Sequence, residues 1–80
     1  MNGLDYQRLA QLGEKVREHT ASGPERDEYM SLLYRNGSLT EQQWLDYHSG
    51  KNTDDIVKAA VTVGAVILIG YLIDQMFSKR

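Results

Sequence analysis

The sequence predicts an all-α protein: three short amphipathic helices followed by one long C-terminal transmembrane helix. Two features lead to this expectation. Up to about residue 52, apolar residues return every three or four positions between recognisable helix starts and stops. From Ala59 to Ile73 the chain then runs fifteen residues without a charge. Residues 1–52 therefore read as a polar helical segment, and residues 53–80 as a membrane span with a short basic tail.

The first helix is expected over about residues 4–19. Leu9, Leu12 and Val16 fall at i, i+3 and i+7, with Tyr6 and Gly13 on neighbouring positions. Arg8, Glu14, Lys15, Arg17 and Glu18 take the other side. Thr20-Ala21-Ser22-Gly23-Pro24 supplies turn residues and a proline suited to a first helical turn, and Glu25, Asp27 and Glu28 favour the N-terminus of the helix that follows. This second helix is expected over 24–35, with Tyr29, Met30, Leu32 and Leu33 as its apolar residues and Asn36-Gly37 as a left-handed stop.

The third helix, over 40–49, has the strongest local start signal. Thr40 is an N-cap, Gln43 closes a capping box, and Leu39 with Trp44 forms a hydrophobic staple. Gly50 ends it. Asn52 or Thr53 then caps a fourth helix over 53–78, with Asp54 and Asp55 in its first turn and Lys79 and Arg80 at the far end, so that both ends of its dipole are complemented.

The uncharged run alone reaches about 22 Å, short of a hydrocarbon core near 30 Å. Extending it from Ile56 to Phe77 gives about 33 Å, with Lys58 snorkelling toward one headgroup layer and Asp74 near the other. The span then holds Ile56, Val57, Val61, Val63, Val66, Ile67, Leu68, Ile69, Leu72, Ile73 and Phe77. At about −0.3 to −0.6 kcal/mol each, these residues contribute roughly −3 to −7 kcal/mol to insertion. Val61, Val63, Val66, Ile67, Leu68, Ile69 and Leu72 surround the helix on every face, unlike the surface helix of a soluble protein. Ala60 and Gly64 form a small-xxx-small pair that would let a second helix approach closely in lipid.

Composition excludes several other roles. Eighty residues with no cysteine make at most one small domain, and no disulfide is available to staple it. His19 and His48 are far apart with no ligand-spaced neighbour, so no metal or other cofactor is expected. The net charge of −2 and the scatter of both signs argue against nucleic acid. No paired carboxylates, activated nucleophile or phosphate-cradling glycines occur at persuasive spacing, so neither catalysis nor a small-molecule substrate is expected. The start lacks the pattern of a cleavable signal or a myristoylation site, which leaves the C-terminal segment to direct insertion. A slight excess of Arg35, Lys51 and Lys58 before the span favours a tail-anchored protein with its N-terminal segment in the cytoplasm, or inside a virion.

In the polar segment, Trp44, Tyr47 and His48 at i, i+3 and i+4 either pack against a sister helix or form a patch for a protein partner. The stretch from Met30 to Tyr47 resembles the SHOCT module, a short helical hairpin of bacterial and phage proteins. Leu32, Leu33, Gly37, Leu39, Thr40, Glu41 and Trp44 match its pattern. The usual lysine-rich second helix ending in paired leucines is missing, because Ser49-Gly50 stops it early. The resemblance covers about a quarter of the chain and implies an oligomerisation or interaction module, often beside membrane segments, without enzymatic activity. The function expected is that of a scaffold or accessory subunit of a membrane assembly, with membrane lipid and a protein partner or a second copy as its contacts. Two alternatives stand beside it: a phage virion membrane component or holin-like lysis protein, and a soluble helical oligomer with the C-terminal helix as shared core.

Overall fold

The computed structural model describes residues 5–78, which form four helices and no strand: α1 Tyr6–Arg17, α2 Gly23–Arg35, α3 Glu41–Ser49 and α4 Thr53–Ser78. The all-α architecture with a long, apolar last helix is therefore as the sequence predicts. The start of the first helix at residue 4, and the basic pair Lys79 and Arg80, lie outside the described residues.

Each helix end has a local cause. The Asp5 side chain caps α1 by accepting from the Arg8 N–H at 3.0 Å. His19, at φ 61, turns the chain out of α1, and the Thr20 N–H closes the end on the Lys15 carbonyl at 2.8 Å. At α2 a full capping box stands where the sequence shows only turn residues and a proline. The Glu25 N–H donates to the Ser22 hydroxyl, and the Ser22 N–H donates to the Glu25 carboxylate at 2.9 Å. The box read at Thr40 and Gln43 is present, with both bonds at 2.9–3.0 Å. Gly37 (φ 79) and Gly50 (φ 82) take the left-handed conformation that stops α2 and α3. Asn52, also left-handed at φ 50, presents its carbonyl to the Ile56 N–H at 2.9 Å and so leads into α4.

The core joins all four helices. Leu9, Leu12 and Val16 of α1 meet Tyr29, Met30, Leu32 and Leu33 of α2, with Leu39 and Tyr47 from the third helix and its lead-in. Ile56 and Ala60 of α4 belong to the same core. The change of composition near residue 52 is thus not a break in packing. Trp44 stacks on Tyr34 with ring centroids 4.6 Å apart, which seats α3 on α2.

Helix α1 runs antiparallel to α4. Tyr6 at its start stacks on Tyr71, centroids 4.0 Å apart, while Val16 and Arg17 at its end share a cleft with Val57, Lys58 and Val61. Two ion pairs, Arg8–Glu28 and Lys15–Glu25, each at 2.7 Å, tie α1 to α2 along the outer side of this pair.

Replacing Thr40 by alanine removes the acceptor for the Gln43 N–H and should lower stability by about 1 kcal/mol, measured by urea denaturation followed through Trp44 fluorescence.

Acid should act through the α1–α2 ties. The hydrogen bond from Lys15, reinforced by the Ser22 N–H, holds the Glu25 carboxyl down at about 2, against an ordinary 4.5. Arg8 lowers Glu28 in the same way. A carboxyl lowered by folding contributes stability that is complete above its unfolded value and is lost as pH falls through its folded one. Stability should therefore decline from about pH 4.5 toward pH 2, and Glu25→Gln should flatten that decline in urea midpoints taken across the range.

Candidate membrane anchor

Along α4 the surroundings change from protein to none. Ile56, Ala60 and Gly64, spaced four apart, are buried. Val57, Val61, Ile67 and Leu68 are half-buried against the core, and Val63 is intermediate. Beyond Gly64 no described residue of the helix is buried. Val66 (64% exposed), Ile69, Leu72, Ile73, Met76 and Phe77 (70% exposed) stand open. Of the most apolar stretch of this helix only 17% is buried, whereas the central helix of a soluble protein would be mostly covered. Exposed apolar surface of this extent on one helix is more than a protein surrounded only by water ordinarily shows.

The flanking ionisable groups suit that reading. Lys58 and Asp74 are both exposed. The first leaves α4 one turn after its acidic start, and the second stands four residues before Ser78, whose hydroxyl donates to the Asp74 carbonyl at 2.8 Å. With 26 residues, α4 is about 39 Å long, sufficient for a hydrocarbon core near 30 Å.

The small pair Ala60 and Gly64 makes a close helix contact within the chain. The Tyr29 ring, 1% exposed, enters from α2 between α1 and α4, and its hydroxyl donates to the Ala60 carbonyl at 3.1 Å. A Cβ on Gly64 would lie 2.0 Å from that hydroxyl oxygen, and one on Gly13 would lie 3.2 Å from the ring. Glycine at 64 thus opens a path to the free lone pair of a helical carbonyl, and glycine at 13 leaves room for the ring's other side. Burial pushes the Tyr29 phenol up to about 12, so it stays a donor across the physiological range.

No protein family, curated protein or solved structure matches this chain.

The three residues read as a partner patch meet different surroundings. Tyr47 is buried, and its hydroxyl donates to Asp27 while accepting from Arg26 Nε at 3.2 Å, so it links α3 to the start of α2. Burial and the Asp27 bond raise its pKa. Trp44 is half-buried between Tyr34 and the edge of His48, at centroid distances of 4.6 and 4.3 Å. His48 is exposed and forms the outer rim of this aromatic row. Any partner surface here is made of His48, the open side of Trp44 and exposed Leu45.

A cleft of about 750 Å³ opens where α1 ends and α4 begins, with Val16, Val57 and Val61 in its lining and Arg26, Asp54 and Lys58 among its polar groups. Mixed charge around a wide mouth gives it no evident ligand. Among the described residues no three His, Asp or Glu side chains stand together as metal ligands.

The Tyr29 seat predicts opposite signs for two effects of one substitution. Helix propensity alone makes Gly64→Ala stabilising by up to about 1 kcal/mol. The overlap with Tyr29 should instead make it destabilising by roughly 1–3 kcal/mol. Tyr29→Phe, which removes only the hydroxyl, should cost about 1 kcal/mol. Urea midpoints of the purified variants in detergent-free buffer, where the bundle is closed, decide the sign, and a stabilised Gly64→Ala chain would mean Tyr29 is not seated there.

Proposed function

We propose that this chain is a single-span membrane protein in which α4 is the anchor and the helices before it form a small scaffold or accessory module that engages a protein partner at the membrane. The observation that carries the reading is the long, bare, apolar surface of α4 beyond Gly64, flanked by exposed ionisable groups near the ends of the stretch from Ile56 to Phe77. The weak bias of basic residues toward the N-terminal side of α4 supports a cytoplasmic N-terminal segment. Partner binding falls to the rim of His48, Trp44 and Leu45, where an exposed leucine and an aromatic edge lie together. The likeness of residues 30–47 to the SHOCT hairpin agrees with an interaction module.

A second reading has its own support. The first half of α4 shares a core with the polar helices, so the bare half could be covered by a second copy in a soluble oligomer. The two differ in what solvates Val66 to Phe77.

Expressed in cells, the chain should stay with the membrane pellet through alkaline carbonate washing and need detergent for release. Recovery in the aqueous fraction as a discrete small assembly, seen by sedimentation without detergent, would replace the anchor with the oligomer.

A further inference from the structure

The bundle and the span make incompatible demands on the same helix. Because α1 runs antiparallel to α4, protein covers one side of α4 from the level of Ile56 up to Tyr71. The outer side of that cover carries Arg8 paired to Glu28 and Lys15 paired to Glu25. A bilayer placed around Ile56 to Phe77 would put these four charged groups at hydrocarbon depth, where ionised side chains are costly and belong in a protein interior or a watery cavity. A bilayer that began beyond Tyr71 would have only Leu72 to Phe77 to fill it, about 9 Å of helix against a core near 30 Å. With the bundle closed, no placement satisfies both conditions.

We infer, resting on the anchor reading above, that the closed bundle is the water-side form of the chain. The α1–α2 hairpin is then a detachable cover, which lipid displaces when α4 inserts. How the bonds are distributed favours release of the hairpin as a unit. Among the described residues every ion pair joins α1 to α2 or lies within α1 and its cap, and none reaches α4. What holds the hairpin to α4 is apolar contact, the Tyr6–Tyr71 stack and the Tyr29–Ala60 hydrogen bond. Lipid can replace the apolar contacts on the α4 side, since hydrocarbon solvates Val57, Val61, Ile67 and Leu68 as well as protein does. The hairpin keeps its own ties, Arg8–Glu28 and Lys15–Glu25, when it leaves α4.

The chain has no cysteine, so Tyr6→Cys with Tyr71→Cys places two unique thiols where α1 meets α4. The full-length double variant would be joined by a short crosslinker containing a cleavable disulfide and mixed with phosphatidylcholine vesicles. Insertion is read as resistance to carbonate extraction together with protection of a C-terminal epitope from external protease. The uncrosslinked double variant and each single-cysteine variant carrying the reagent should insert. The crosslinked chain should insert at least tenfold less, and a reducing agent should restore it. Tyr29→Phe, which loosens the cover without removing apolar surface, should insert several-fold faster than the parent. Equal insertion with the crosslink closed would overturn the cover while leaving the span intact. If the uncrosslinked chain never resists extraction, the span itself is wrong and the cover has nothing to uncover.

Discussion

One tyrosine ring sets the spacing of the helices. Tyr29 stands between α1 and α4, and its hydroxyl can reach the Ala60 carbonyl only because residue 64 has no side chain. Along a regular helix the carbonyl of residue i already accepts from the N–H of residue i+4, and the side chain of i+4 hangs over it. A glycine at i+4 uncovers the second lone pair. The consequence reaches beyond one hydrogen bond. A phenol buried in an apolar core needs a partner, and helix backbones rarely offer one. Here Gly13 and Gly64 make the slot, Ala60 supplies the acceptor, and the ring fixes how close three helices come. Leu9, Leu12 and Met30, each fully buried, fill the space that this spacing leaves.

The local signals were legible because local chemistry decides them. The Thr40 box, the Gly37 and Gly50 stops and the Leu9, Leu12, Val16 stripe depend on residues within a few positions of one another. The Ser22–Glu25 box is equally local, but Gly23-Pro24 inside it also carries the signature of a turn. Pairing between helices could not be read in the same way. Ala60 and Gly64 have the spacing that allows close approach, which in a membrane span predicts contact with a second helix in lipid. The spacing does not say which helix approaches, and the structure places Tyr29 of the same chain there, thirty-one residues away from Ala60. Gly13 stood beside the α1 stripe with no evident role until the ring it accommodates was known. Tyr6 and Tyr71, sixty-five positions apart, carry no sequence signal of their stacking.

Polar and apolar surroundings therefore meet along a single helix, and on the anchor reading that helix has two solvents, water and lipid. Water favours the closed bundle, in which Ile56, Ala60 and Gly64 are shielded and only the outer half of α4 stays bare. Hydrocarbon solvates the whole length of α4, but it gains nothing from Ala60 and Gly64, which present little apolar surface of their own. Ala60 and Gly64 are thus the part of the buried row that lipid rewards least and the bundle uses best. Farther along, the preference reverses, since Val66, Ile69, Leu72 and Phe77 gain from lipid and nothing from the bundle.

If α4 inserts as proposed, that gradient gives insertion a direction. On the anchor reading, the turns of α4 beyond Tyr71 would enter a bilayer while the hairpin still holds the helix before them, and each further turn drawn in would part another contact with α1. The Tyr6–Tyr71 stack would part first, because Tyr71 is the first covered residue that advancing hydrocarbon would meet. The Tyr29–Ala60 bond lies about sixteen ångströms deeper along the helix and goes later. Until it parts, the charged pairs Arg8–Glu28 and Lys15–Glu25 bar the hairpin from following α4 into hydrocarbon. On that proposal the two tyrosine contacts would break in order, the stack yielding to shallow insertion and the glycine-gated bond resisting until most of α4 had left water.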